Sequence, residues 1–255
     1  MEITIIQYLI VCPLVFLAGL LDSIAGGGGL ISLPAYLIAG IPPHMALGTN
    51  KMGSVMGTVV STVRFAKNGF VNFKTVVWFV MAALIGSSIG ANLSLLMSEK
   101  MVGFMMLIVL PVVAFYVLKN KKMGDDAMAH SIPAKKAFLI ALAAAFFVGT
   151  YDGFYGPGTG TFLILILTGA AKYTMKEAAG DTKVINLASN AAAFVTFIMN
   201  GKVLFPLGLA AGIFCIAGNY IGSGLVLSNG QKIVRPVVLL VLVILFIKVF
   251  TEVLL

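Results

Sequence analysis

The sequence predicts an all-α polytopic membrane protein made of two inverted-topology repeats, with broken or re-entrant half-helices after glycine-rich turns. Three observations carry that prediction: the apolar composition, a series of apolar segments punctuated by glycine, and an internal duplication. Of 255 residues, 60% are hydrophobic and only 10% charged, and the mean hydropathy is +1.07. A soluble domain is about a quarter charged. This chain lacks the polar shell to cover a core in water, so its solvent is lipid. The two cysteines, Cys12 and Cys215, lie inside apolar runs and read as small buried hydrophobes, not as a disulfide framework. Seventeen Lys and Arg against nine Asp and Glu give a formal charge of +8. Such an excess suits anionic ligands or basic cytoplasmic loops; nucleic acid is not an expected partner.

Met1-Glu2-Ile3 lacks the basic opening of a secretory signal, so the first apolar run is expected to be retained. Apolar segments cover 3–21, 29–41, 45–66, 75–96 and 101–118. A polar stretch at 119–136 follows, then 137–152, 160–171, 184–199, 204–227 and 236–254. A crossing helix needs about 20 residues. Segments 29–41 and 160–171 are shorter. Each directly follows a glycine cluster, Gly26-Gly27-Gly28-Gly29 or Gly156-Pro157-Gly158-Thr159-Gly160. Both are expected as half-helices whose irregular backbone is buried in protein, because lipid tolerates no exposed loop.

Orientation follows from the basic residues. With ten crossings and the N-terminus outside, the inside loops hold Arg64, Lys67, Lys74, Lys119, Lys121, Lys122, Lys135, Lys136, Lys172, Lys176, Lys232 and Arg235. The outside holds Lys100, Lys202 and Lys248, while Lys51 and Lys183 stand at segment starts. Twelve against three is a positive-inside pattern, as expected of a multi-pass protein of the inner or plasma membrane. If the short segments do not cross, eight spans remain.

The chain is a duplication. Residues 46–93 align without a gap on 178–225, at a shift of 132. Ala46-Leu47-Gly48-Thr49-Asn50-Lys51 meets Ala178-Ala179-Gly180-Asp181-Thr182-Lys183, and Asn68-Gly69 meets Asn200-Gly201. At a shift of 130, Asp22 and the first glycine cluster fall on Asp152 and the second. The expected organisation is therefore a transmembrane repeat over 1–118, a basic cytoplasmic linker over 119–136, and a second repeat over 137–255. An odd number of crossings per half inverts the second half. Interrupted helices meeting near the midplane of such inverted repeats are a recurrent transporter architecture.

Three groups of residues are candidates for chemistry. The first is Gly26, Gly27, Gly28 and Gly29 with Gly156, Gly158, Thr159 and Gly160. A helix that starts behind such a turn presents free N–H groups and its positive dipole end to an anion; close helix packing is the alternative. The second is a polar stripe on matched helices. Lys51, Ser54, Thr58 and Ser61 fall on one helical face, and Lys183, Asn186 and Asn190 on another, with Asn50 and Ser189 beside them. The hydroxyls and amides either bind a ligand or join helices. The two lysines either offset a ligand's charge or snorkel to the interface. The third is Asp22 and Asp152, expected to carry a coupling proton, cap a helix or pair with a lysine. Tyr151 and Tyr155 either donate to an oxyanion or anchor at the interface. Gly86, Gly90 and Ser94, like Gly218 and Gly222, have small-xxx-small spacing and are assigned to helix packing. His44 and His130 make no metal set, and no cofactor motif or nucleophile–base order is present.

Asp22-Ser23-Ile24-Ala25-Gly26-Gly27-Gly28-Gly29, then Leu33-Pro34 and the stretch from Gly40 to Asn50, resembles the TauE/SafE sulfite exporter family, also called the toluene-sulfonate uptake permease family. Gly153-Phe154-Tyr155-Gly156-Pro157-Gly158-Thr159-Gly160 and the stretch from Gly180 to Asn190 are similar to that family's second repeat. The resemblance covers nearly the whole chain. It implies a carrier of small sulfur-containing anions, sulfite or organosulfonates, with seven or eight spans, and it fixes neither substrate nor direction. The expected function is thus secondary transport of such an anion by alternating access, with coupled protons as a further partner and no enzymatic activity. An anion channel is the alternative. Tyr151-Asp152 and Gly180-Asp181 faintly resemble the aspartates of an intramembrane aspartyl protease, a remote third reading.

Overall fold

The computed structural model describes residues 3–98 and 129–229, and every regular element among them is an α-helix. The apolar segments expected at 101–118 and 236–254, and most of the stretch 119–136, lie outside the described residues. Helix α1 (Ile5–Ala25) opens where the Gln7 side chain accepts the Thr4 N–H at 2.9 Å. It ends at Gly26, whose φ of 74° lets its N–H turn back onto the Asp22 carbonyl at 2.7 Å. Helix α2 (Gly29–Ile38) follows, then α3 (Pro43–Lys67), which starts on a proline whose missing N–H costs nothing at a first turn. Helix α4 (Phe73–Leu96) is capped by Asn72, which accepts the Lys74 N–H at 3.1 Å.

The second half repeats this order. Helix α5 (Ala134–Phe154) leads to the glycine turn, and α6 (Thr159–Gly169) begins just after Gly158, whose φ is 82°. Helix α7 (Met175–Met199) opens with a capping box in which Thr174 and Glu177 exchange bonds of 2.9 and 3.2 Å. Helix α8 (Phe205–Asn229) completes the described chain. Helix α7 starts nine residues before the apolar segment expected at 184. Its first turns carry Lys176, Glu177, Asp181 and Lys183, which hydropathy rejects; Asp181 and Lys183 are buried against protein, not lipid.

Among the described residues five helices, α1, α4, α5, α7 and α8, are long and apolar enough to cross a membrane. Helix α3 is as long, at 25 residues, but carries the polar stripe. Helices α2 and α6 have 10 and 11 residues. At ~1.5 Å per residue each spans about half of a ~30 Å hydrocarbon layer. They are half-helices, as the glycine clusters predicted. Along α4, Trp78, Met81, Ile85, Ile89 and Leu93 are exposed at helical spacing, while Phe79, Ala83, Gly86, Ser87 and Gly90 are buried. An apolar outer face and a small-residue inner face are what lipid solvent selects.

The packing pairs exchange with one another when the repeats are exchanged. Helix α1 lies along α8 as α5 lies along α4, α3 meets α8 as α7 meets α4, and α3 meets α7. Small residues permit these close approaches. A Cβ on Gly86 or Gly90 would run into the α5 backbone at Phe146 or Thr150. One on Gly218 would meet the α1 backbone at Phe16, and one on Gly222 would meet Ser23 and the Leu20 carbonyl. These glycines serve helix packing, as their spacing suggested. Cys12 and Cys215 are free and buried.

Candidate functional site

The two glycine turns touch. Gly26 and Gly160 lie so close that a Cβ on either would collide with the backbone of the other. The Gly160 N–H donates to the Gly26 carbonyl at 3.1 Å, and the Thr161 hydroxyl donates to the Ala25 carbonyl at 2.7 Å. A Cβ on Gly29 would sit 3.0 Å from Pro157. The breaks in the two repeats are therefore one structural unit. The contact also occupies the Gly160 amide, one of the N–H groups that the sequence offers to an anion.

Around this contact the stripe lysines and the turn aspartates pair across the repeats. Lys51 Nζ lies 2.8 Å from Asp152 Oδ2, with both side chains 3% exposed, and the ammonium donates to Asn190 Oδ1 at 2.9 Å. Asp152 Oδ1 accepts from the Thr159 hydroxyl at 2.8 Å, which ties the acid to the first residue of α6. Lys183 Nζ lies 3.2 Å from Asp22 Oδ2 and also donates to the Asp22 carbonyl. Each lysine of one repeat thus neutralises the aspartate of the other. Lys51 and Lys183 are buried, so neither snorkels to an interface. Of the roles open to Asp22 and Asp152, the structure places both in ion pairs.

Residues 11–249 match the family described as sulfite exporter TauE/SafE. The chain belongs to the TauE/SafE family. A probable membrane transporter protein of Sinorhizobium is 35% identical over 238 residues, covering 93% of this chain and 90% of its own length. One from Haemophilus influenzae is 34% identical over 230 residues, covering 88% and 87%. YfcA of Escherichia coli, also named a probable membrane transporter protein, is 33% identical over 228 residues, covering 88% and 82%. No solved structure gives a significant match. The protein is a multi-pass membrane transporter of the TauE/SafE family.

In this TauE/SafE chain the candidate residues divide between two places. Asp22, Gly28, Gly29, Asn50, Ser54 and Thr58 line a cavity of about 20 Å³, with Ser32 and Cys215 at its wall. That is room for about one water. Asn186 and Asn190 instead bond to each other, Asn190 Nδ2 donating to Asn186 Oδ1 at 3.0 Å, and Asn190 also receives Lys51. Gly156 packs against Asp152 and Lys51: a Cβ there would lie 2.9 Å from Asp152 Oδ1 and from Lys51 Nζ. Tyr151 donates to the Pro157 carbonyl at 2.7 Å and so fastens the second glycine turn, instead of anchoring at an interface. Ser189 donates to the Asn186 carbonyl of its own helix at 3.1 Å, and its own carbonyl accepts from Ser87 at 2.5 Å, a bond that joins α7 to α4.

Sequence reasoning missed Ser32, Thr161 and the cavity-lining role of Cys215. A lone hydroxyl in an apolar half-helix was a usable signal for Ser32 and Thr161. Nothing in the sequence points Cys215 at a cavity. Position 32 also differs between the repeats: at the shift of 130 its mate is Phe162, buried at 6% exposure with its ring centroid 5.4 Å from that of Tyr151. A hydroxyl lines a cavity in one repeat where the other repeat has an aromatic side chain.

Proposed function

We propose that the protein is a secondary carrier of a small sulfur-containing anion, sulfite or an organosulfonate, working by alternating access between inverted repeats. The observation that carries this reading is the crossed arrangement of Lys51–Asp152 and Lys183–Asp22 around the contact of the two glycine turns. Three buried charges and the partly exposed Asp22, held in neutral pairs, create a centre that is closed to free charge yet holds two cations. An anion that enters offers either lysine a substitute for its aspartate. Sulfonate oxygens are weak bases, so amides, hydroxyls and the α2 helix start assist without a full countercharge. On this reading Asn50, Ser54, Gly28 and Gly29 contact the anion from the first repeat. Asn186, Asn190, Thr159 and Lys51 complete the centre from the other side, and Lys183 supplies charge when Asp22 releases it.

The crossed pairs also suit a rocking motion. Each links one repeat to the other, so a tilt of one repeat loads both pairs. Partial exposure of Asp22, 17% against 3% for Asp152, makes the Lys183–Asp22 pair the one within reach of water and of cargo.

Liposomes containing the purified protein are expected to take up labelled sulfite or sulfoacetate with saturation, and faster when the same anion is preloaded inside. Non-saturating flux without that stimulation would make the protein an anion channel. An Asn50→Ala, Asn186→Ala double variant that transports like the wild type would remove the proposed site.

A further inference from the structure

Asp181 is a buried acid that the crossed pairs do not use. It lies in the second turn of α7 and is 1% exposed. Its mate under the repeat is Thr49, and the two sites are built alike. In the first, Gly48 sits against the Lys202 carbonyl, and the Thr49 hydroxyl accepts the Leu204 N–H at 3.0 Å where α8 begins. In the second, Gly180 sits against the Phe70 carbonyl, and the Asp181 carboxyl faces the Asn72 backbone where α4 begins. A hydroxyl is sufficient for this helix-capping bond, as Thr49 shows. The acid brings a second oxygen, Oδ1, which is buried and has no hydrogen-bond partner.

Among the described residues no lysine, arginine or histidine forms an ion pair with Asp181. Lys183, two residues on, is held by Asp22, and Lys176 lies over the Phe70 ring at 5.0 Å. The titratable groups that act on it or feel it are Glu177 on its own helix and Tyr173 on the α6–α7 connection, and neither supplies positive charge. An ionised carboxylate sealed away from water with an unbonded oxygen is strongly unfavourable, and an intramembrane acid of this kind marks a proton route.

We propose that Asp181 carries the coupling proton of the transport cycle, held on Oδ1 while the α3–α4 turn covers it and given up when that turn opens to water. The proton is taken from water while the centre is open to one face of the membrane and returned to water when it is open to the other; only the O–H bond to Oδ1 forms and breaks. Coupling then follows from alternating access. The acid is stable in the sealed state only with its proton, so each passage through that state moves one proton with the cargo. The cargo in this scheme rests on the carrier reading above; the protonation of Asp181 does not.

The experiment uses two variants, Asp181→Thr, which copies the first repeat, and Asp181→Asn. Infrared spectra of the protein in liposomes at neutral pH are expected to show a buried carboxylic-acid band that both variants lose. A wild-type spectrum identical to that of Asp181→Thr would overturn the proposal whatever the cargo. In the second arm sulfoacetate uptake is followed with the membrane potential clamped at zero. A gradient of one pH unit is expected to drive about tenfold accumulation by the wild type if one proton accompanies each anion. Asp181→Thr is expected to keep sulfoacetate exchange at equal pH and to lose the gradient-driven accumulation. Accumulation by Asp181→Thr equal to that of the wild type reduces Asp181 to a helix cap and overturns the proposal. Should the wild type neither accumulate nor exchange sulfoacetate, the cargo reading is what fails, and the infrared arm still decides on Asp181.

Discussion

Lys51 and Asp152 form an ion pair of 2.8 Å between a helix of the first repeat and the end of a helix in the second. The residues that correspond to them, Lys183 and Asp22, repeat the pair in the opposite sense at 3.2 Å. Because each repeat supplies one cation and one anion, neither repeat alone neutralises its own buried charge. The duplication is thereby locked into one unit by electrostatics as well as by packing.

Removing one partner of the sealed pair strands a charge. Lys51→Met is expected to destabilise the protein by about 3–5 kcal/mol, and Lys51→Met with Asp152→Leu to recover most of the loss. Denaturant unfolding in detergent gives both values. A double variant no more stable than the single one would show that the two charges are not coupled.

The second pair should tolerate loss better. Asp22 is 17% exposed, so water can solvate it after Lys183→Met, whereas Asp152 at 3% has no such recourse. The same unfolding measurement is expected to rank Lys183→Met as the milder change. The reverse ranking would mean that the exposure of Asp22 does not moderate its charge.

Contact between the glycine turns is a steric requirement. Gly26→Ala places a methyl on the Gly160 backbone and adds the cost of a φ of 74°. Gly40 has nearly the same φ, 75°, with nothing near its missing Cβ. Gly40→Ala is therefore a control for backbone strain, expected to cost about 1–2 kcal/mol. Gly26→Ala is expected to cost clearly more and to yield little folded protein by size-exclusion chromatography after mild heating. Equal behaviour of the two variants would deny the turn-to-turn contact.

Narrowing the first-repeat cavity tests the anion site proposed above. Ser32→Thr adds one methyl group, a volume the cavity can hold, to the space shared with Asn50 and Ser54. Uptake of sulfoacetate into liposomes is expected to fall steeply while the thermal midpoint changes little. A wild-type rate in that variant would place the anion elsewhere.

Much of this protein is legible in the chain. Lipid as solvent follows from a charge fraction too low to coat a core in water, the half-helices from runs of ten or so residues behind glycine, and the duplication from matched polar punctuation. The start of α7 shows where that reasoning stops. Hydropathy measures transfer of a side chain to lipid, and it excluded 175–183 because Lys183 and Asp181 are costly there. Both in fact face protein, and the local capping box of Thr174 and Glu177 set the boundary.

The sequence by itself determined the class of protein, its repeat and the residue types at its centre, because composition, period and spacing are local properties of the chain. Only the tertiary structure decided that Lys51 pairs with Asp152 and not with Asp22, that Gly160 spends its amide on Gly26, and that the cavity lies beside Ser32. Those are contacts between residues that lie far apart along the chain. No helical period reports on them, and burial of a charge is settled by the partner that the other repeat brings to it.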